Sequence, residues 1–125
     1  MDKTALVIDD SREFRDSMRA LLEANKFKVE CADDGESGFK AALASKPGLI
    51  ILDVMMEDAD TGLEIVRRFR DESSTKDIPI FLVTGIRKPE YLLQSYAPGE
   101  KFNNVKDVFE KPVDPARFEK ALSEI

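Results

Sequence analysis

Short apolar runs alternate with stretches of helical spacing along the chain. Thr4-Ala5-Leu6-Val7-Ile8 is short, continuous and partly β-branched, which predicts a strand buried on both faces. Behind it Phe14, Met18, Leu21 and Leu22 recur at helical spacing, with Ser11 placed as an N-cap. Phe27, Val29 and Cys31 alternate with polar residues and predict a second, less buried strand. Phe39, Ala42 and Leu43 mark a second helix, closed by Pro47-Gly48, and Leu49-Ile50-Ile51-Leu52 is a third strand running into Asp53. A third helix follows at Leu63, Ile65, Val66 and Phe69, and a fourth strand at Pro79 through Val83. Tyr91, Leu92, Leu93 and Tyr96 suggest a short fourth helix before Pro98-Gly99. Val105, Val108 and Phe109 give a weak fifth strand, and Phe118, Ala121, Leu122 and Ile125 a last helix. The pattern is weakest from Lys88 to Asn104. Strand-then-helix units in this order predict an α/β fold, a doubly wound parallel sheet with helices on both faces.

Composition narrows the chemistry. The 125 residues, 42% of them hydrophobic, suit one domain with a real core. A single Cys31 excludes an internal disulfide, and the absence of His removes the commonest general base together with Ser-His-Asp and Cys-His mechanisms. No apolar run is long enough for a membrane span or a signal segment, so a cytoplasmic protein is expected. A net charge of −6 argues against nucleic-acid binding.

The carboxylates are the informative residues. Asp9 and Asp10 follow the first strand and Asp53 follows the third. Ligands of open α/β sheets bind at the carboxyl ends of strands, where the winding direction switches. If strands one and three are neighbours, three carboxylates converge there. Crowded like charges disfavour one another's ionisation, and a divalent cation such as Mg²⁺ is the natural remedy. Thr84, Gly85 and Lys111-Pro112 end the fourth and fifth strands. They add a hydroxyl, an unhindered turn and an ammonium, groups that stabilise a phosphoryl group.

Asp9-Asp10, the run into Asp53-Val54-Met55-Met56, Thr84 and Lys111-Pro112 together resemble the receiver domain of two-component response regulators, over essentially all of residues 1–125. The resemblance is to a stand-alone, chemotaxis-regulator-like receiver. It implies a flavodoxin-like sheet of five strands ordered 2-1-3-4-5, with five helices. Asp53 would be the phosphoacceptor, and Asp9, Asp10, Asp53 and the Met55 backbone carbonyl would hold Mg²⁺ or Mn²⁺. Thr84 and Lys111 would bind phosphate oxygens, and the Lys111–Pro112 peptide would be cis. A histidine kinase or histidine phosphotransfer protein would donate the phosphoryl group. An output protein, with no direct nucleic-acid or membrane contact, would read the changed surface around the fourth helix, fifth strand and fifth helix. The domain would be a monomer or weak dimer, catalysing only its own phosphorylation and dephosphorylation.

The sequence departs from the family pattern in four places. Glu57 stands where receivers usually have Pro, and Gly62 comes one residue later than the usual Gly, so the Glu57–Thr61 loop is longer and more acidic. The stretch between Thr84 and Lys111 is also longer than usual, with the extra residues around Ser95 to Asn104, read here as a tolerated surface loop. Val108 occupies a position that is commonly Tyr or Phe. Met55 and Ile86 put apolar side chains two residues after Asp53 and Thr84; in the family these positions flank the route of attacking water, so the resemblance implies slow self-dephosphorylation. The main alternative is a receiver-like interaction module that is never phosphorylated. A haloacid dehalogenase-type phosphatase would need an acid/base Asp where Met55 stands, and a nucleotide switch would need a GxxxxGK[ST] loop that the chain lacks.

Overall fold

A computed structural model describes residues 3–56, 59–85, 93–94 and 97–125. Its elements in chain order are β1 (Lys3–Ile8), α1 (Arg12–Ala24), β2 (Phe27–Ala32), α2 (Gly35–Ser45), β3 (Leu49–Asp53), α3 (Ala59–Asp71), β4 (Ile80–Thr84), β5 (Val105–Glu110) and α4 (Pro115–Ser123). The strands form one parallel sheet in the order β2-β1-β3-β4-β5, the order implied by the family resemblance. Four helices stand among the described residues where five were expected. The helix expected at Tyr91–Tyr96 lies outside the described residues, apart from Leu93 and Gln94, which are helical.

Strand alternation sorts the core into two layers. Leu6, Ile8, Ile50, Leu52 and Leu82 pack on one face with Phe39 and Ala42 of α2 and Leu63, Val66 and Phe69 of α3. Ala5, Val7, Leu49, Ile51, Phe81 and Val83 pack on the other face with Met18 and Leu22 of α1 and Phe118 and Ala121 of α4. β3 and β4 are buried along their whole length, which is why they read as unbroken apolar runs. β2 lies at an edge and alternates in burial. The register between β4 and β5 shifts after Ile80, which pairs with Val105 while Phe81 pairs with Asp107. Such a bulge changes which residues face each way beyond it. Val108 therefore packs toward α2 and α3, and Phe109 toward α1 and α4.

Three helices start on side-chain caps. Ser11, Asp34 and Asp114 accept from the amides of Phe14, Ser37 and Ala116, each satisfying an N–H that a helix start leaves open. At the end of α2 the left-handed residue is Lys46, with φ 47°. The expected stop at Pro47-Gly48 thus falls one residue earlier, and Gly48 instead donates its N–H to Thr4. α3 also starts earlier than expected, so 59–61 belong to the helix and not to a loop; Glu57 and Asp58 lie outside the described residues. Leu43, which helped to mark the second helix, is 36% exposed, and Ile125, counted with the last helix, lies beyond the end of α4 and is 51% exposed.

The stretch before β5 also differs from a loose surface loop. Ala97, Phe102 and Asn104 are buried, and Glu100 is held against α3. Its carboxylate accepts from Arg67 Nε and Nη2 at 2.8 and 3.0 Å and from Arg70 Nη1 at 2.6 Å. The Arg70 guanidinium also stacks 5.2 Å from the centre of the Phe102 ring.

Candidate functional site

The carboxyl ends of β1, β3, β4 and β5 bring the expected residues together. Asp9 follows β1 and is fully buried, Asp53 closes β3 at 6% exposure, and Thr84 closes β4, fully buried. Asp10 is exposed at the mouth. One carboxylate oxygen from each of Asp9, Asp10 and Asp53 lies within 4.8 Å of the others. This all-oxygen cluster could hold a hard divalent cation.

Lys111 closes the site from the β5 side. Its Nζ donates to Asp9 Oδ2 at 2.8 Å and to Asp53 Oδ2 at 3.1 Å. The second oxygen of each carboxylate is fixed by the main chain. The Ser11 N–H donates to Asp9 Oδ1 at 2.8 Å, and the Met55 N–H donates to Asp53 Oδ1 at 2.9 Å. Arg15 Nη1 caps the Asp9 carbonyl at 2.8 Å. The peptide that carries Lys111 is set by the sheet, because its N–H donates to the Thr84 carbonyl at 2.8 Å. The Lys111–Pro112 bond is cis, as the resemblance implied.

The electrostatics follow from this packing. Burial pushes the Asp9 carboxyl above its ordinary value, and the hydrogen bonds from Lys111 and Ser11 offset that only in part. Burial also pulls on the Lys111 ammonium, but its hydrogen bonds to Asp9 and Asp53 outweigh that pull and hold it above its ordinary value. The charged ammonium is what lets two nearly buried carboxylates stand side by side.

Two contributors were not read as site residues in the sequence. Phe14 looked like a core residue of α1, yet Lys111 Nζ sits 4.3 Å from the centre of its ring. Its place one turn after the Ser11 cap, at the sheet end that carries Asp9, is the signal that could have found it. In the sequence Gly62 reads as a displaced loop glycine. A Cβ on it would lie 1.9 Å from the Val54 carbonyl oxygen, so the start of α3 lies directly on the turn that follows Asp53. Ile86, expected beside the water route, lies outside the described residues.

Comparisons with known proteins bear on the family and the fold. The family described as the response regulator receiver domain matches residues 5–123. The chain is 40% identical over 79 residues to the response regulator MprA of Mycolicibacterium vanbaalenii, covering 63% of this chain and 33% of that protein. Against the Mycobacterium ulcerans MprA it is 39% identical over 84 residues, covering 67% and 35%. The chain thus spans about a third of the length of these curated relatives. Among solved structures, the chemotaxis protein CheY4 of Vibrio cholerae superposes with a TM-score of 0.82 at 29% identity, covering 100% of this chain and 99% of that one. The N-terminal domain of a response regulator receiver protein from Methanoculleus marisnigri gives 0.72 at 28% identity, covering 98% and 94%.

Proposed function

The chain belongs to the response regulator receiver domain family of two-component systems, and we propose that within it Asp53 is the phosphoacceptor. A phosphohistidine on a histidine kinase or histidine phosphotransfer protein supplies the phosphoryl group. An Asp53 carboxylate oxygen attacks phosphorus, the new P–O bond forms, and the P–N bond breaks with its electron pair left on the imidazole. This chemistry needs no histidine on the receiver, and the chain has none. The observation that carries the reading is the pairing of Asp53 Oδ2 with Lys111 Nζ at 3.1 Å, at a strand end where Asp9 and Asp10 also converge. The Lys111 ammonium places a positive charge against the oxygen that would attack, at the point where Asp9 also adds its negative charge to the cluster.

The donor set fits Mg²⁺ or Mn²⁺. Asp9, Asp10 and Asp53 would hold the ion with the Met55 carbonyl, in a turn fixed by the Met55 N–H bond to Asp53. When bound, such an ion supplies positive charge beside the carboxylates and the phosphoryl oxygens. Lys111 and the Thr84 hydroxyl take the remaining phosphoryl oxygens. The added charge of about −2 then draws on groups at the ends of β4 and β5 and alters the surface that an output protein reads. Met55 beside Asp53 slows attack by water, so the acyl phosphate persists. The domain acts in the cytoplasm as a monomer or weak dimer, catalysing only its own phosphorylation and dephosphorylation. Among the described residues no helix is long and apolar enough to cross a membrane.

Incubation with acetyl phosphate and Mg²⁺, followed by intact-mass measurement, tests the reading. One added phosphate is expected on the wild-type chain and none on Asp53→Asn. A phosphate gained by the Asn variant would remove Asp53 from the role.

A further inference from the structure

The Lys111 ammonium makes contacts of two kinds. It donates to Oδ2 of Asp9 and Oδ2 of Asp53, and it lies over the face of Phe14 at 4.3 Å. Both carboxylates belong to the cluster that could hold a divalent cation. A cation drawn to those oxygens competes with Lys111 for their lone pairs and repels its charge. The Phe14 ring does neither. Its π face attracts a positive charge without using a carboxylate oxygen.

Phe14 is also held by contacts that use neither of the carboxylate oxygens bonded to Lys111. It lies in the first turn of α1, its N–H donates to Ser11 Oγ at 3.2 Å, and its side chain packs against the core layer formed with Met18 and Leu22. Lys111, by contrast, has a side chain that is 27% exposed on a flexible four-carbon stem. Deprived of its carboxylate partners, it would spread into solvent.

We infer that Phe14 is a positioning residue for Lys111, keeping the ammonium beside Asp53 when a bound cation takes up the carboxylates. The inference rests on the reading of Asp53 as phosphoacceptor and extends the site to a ring on α1. It separates two effects that ordinary damage to the fold would combine. Removing the ring should weaken the delivery of Lys111 to the phosphoryl group while leaving the cation site intact, and even easing the repulsion on the cation.

The experiment compares Phe14→Leu, which keeps apolar volume, with Phe14→Tyr, which keeps the ring. At saturating Mg²⁺, phosphorylation by acetyl phosphate should be about three- to tenfold slower in the Leu variant, and close to wild type in the Tyr variant. Mg²⁺ affinity by calorimetry should be equal or tighter in Phe14→Leu. In the wild-type protein the Lys111 ε-methylene protons should show an upfield ring-current shift by NMR, retained when Mg²⁺ is added. A Leu variant as fast as wild type, a Tyr variant as slow as Leu, or a shift that vanishes with Mg²⁺ would each overturn the inference. If the wild-type chain takes no phosphate, the Asp53 reading fails by itself, and the Mg²⁺-retained shift still decides the role of Phe14. The same wild-type measurement decides it if Phe14→Leu does not fold.

Discussion

Gly62 lies so close to Val54 that a methyl group on it would sit 1.9 Å from the Val54 carbonyl oxygen and 2.6 Å from the carbonyl carbon. The contact is backbone against side-chain position, so no rotamer change relieves it. Val54 follows Asp53, and its N–H donates to the Val83 carbonyl at 3.2 Å. The turn is therefore pinned between β4 on one side and the first turns of α3 on the other.

Gly62→Ala should accordingly cost about 3 kcal/mol of stability, since neither backbone can yield without moving the turn. It should also slow phosphorylation, because the displaced turn includes the Met55 N–H that fixes Asp53 Oδ1. Urea unfolding together with the acetyl phosphate rate measures both effects. An unchanged unfolding midpoint would show that the close approach is absent in solution.

Asp10 offers a way to weaken cation binding without disturbing the core. It is exposed, whereas Asp9 is buried and paired with Lys111. Asp10→Asn should lower Mg²⁺ affinity roughly tenfold or more, through loss of a charged ligand, and leave unfolding nearly unchanged. Asp9→Asn should alter both. Because the chain lacks Trp, calorimetry or NMR is the suitable measurement. Equal Mg²⁺ affinity in wild type and both variants would refute the metal-ligand role of the acidic pair.

Phe109 is set for stability more than for movement. Its ring lies 5.4 Å from Phe81 and 5.4 Å from Phe118, and Phe81 lies 5.7 Å from Phe118. Truncation to Ala should cost about 3–5 kcal/mol. Val108, on the opposite face and only partly buried, is short and stiff at χ1. Val108→Ala should leave phosphorylation nearly intact. Structures with and without Mg²⁺ and beryllofluoride should show Phe109 χ1 unchanged, with the response carried by the backbone that begins at Gly85; residues 86–89 lie outside the described residues. A Phe109 ring that swings out on activation would contradict this account.

The contact of Glu100 with α3 gives a pH signature. Hydrogen bonds from Arg67 and then Arg70 hold its carboxyl at about 2, below the ordinary 4.5. A depressed carboxyl contributes stability above its unfolded value and loses it as pH falls through the folded one. The difference in stability between wild type and Glu100→Gln should therefore be full above pH 4.5 and shrink as pH falls toward 2. Urea titrations across this window read it directly. A difference that stays constant with pH would mean that the pair contributes nothing in solution.

Much of this architecture was legible because burial writes itself into residue type. β3 and β4, covered on both faces, could hardly be anything but continuous apolar runs, and the residues that close them had to lie at one edge of the sheet. The strand pattern alone therefore sets Asp9, Asp53 and Thr84 at that edge. What stayed hidden depends on distances between elements far apart in sequence. The ring of Phe14 meets Lys111 across 97 positions of chain, and Glu100 reaches Arg67 and Arg70 across about thirty. Neither spacing has a local signature. The exposure of Leu43 was hidden for a related reason, since helical periodicity shows which face is apolar but not whether a neighbour covers every residue on it.

The two-layered alternation of the sheet has one further consequence. Asp9 and Asp53 continue the side of Val7 and Ile51, which faces α1 and α4, whereas Thr84 continues the side of Leu82, which faces α2 and α3. Asp53, proposed as the phosphoacceptor, and the Thr84 hydroxyl, proposed to bind its phosphate, thus have separate hinterlands, divided by the sheet itself. A substitution in the α2–α3 layer therefore alters the packing behind Thr84 without touching the side chains behind Asp9 and Asp53, and one in the α1–α4 layer does the reverse.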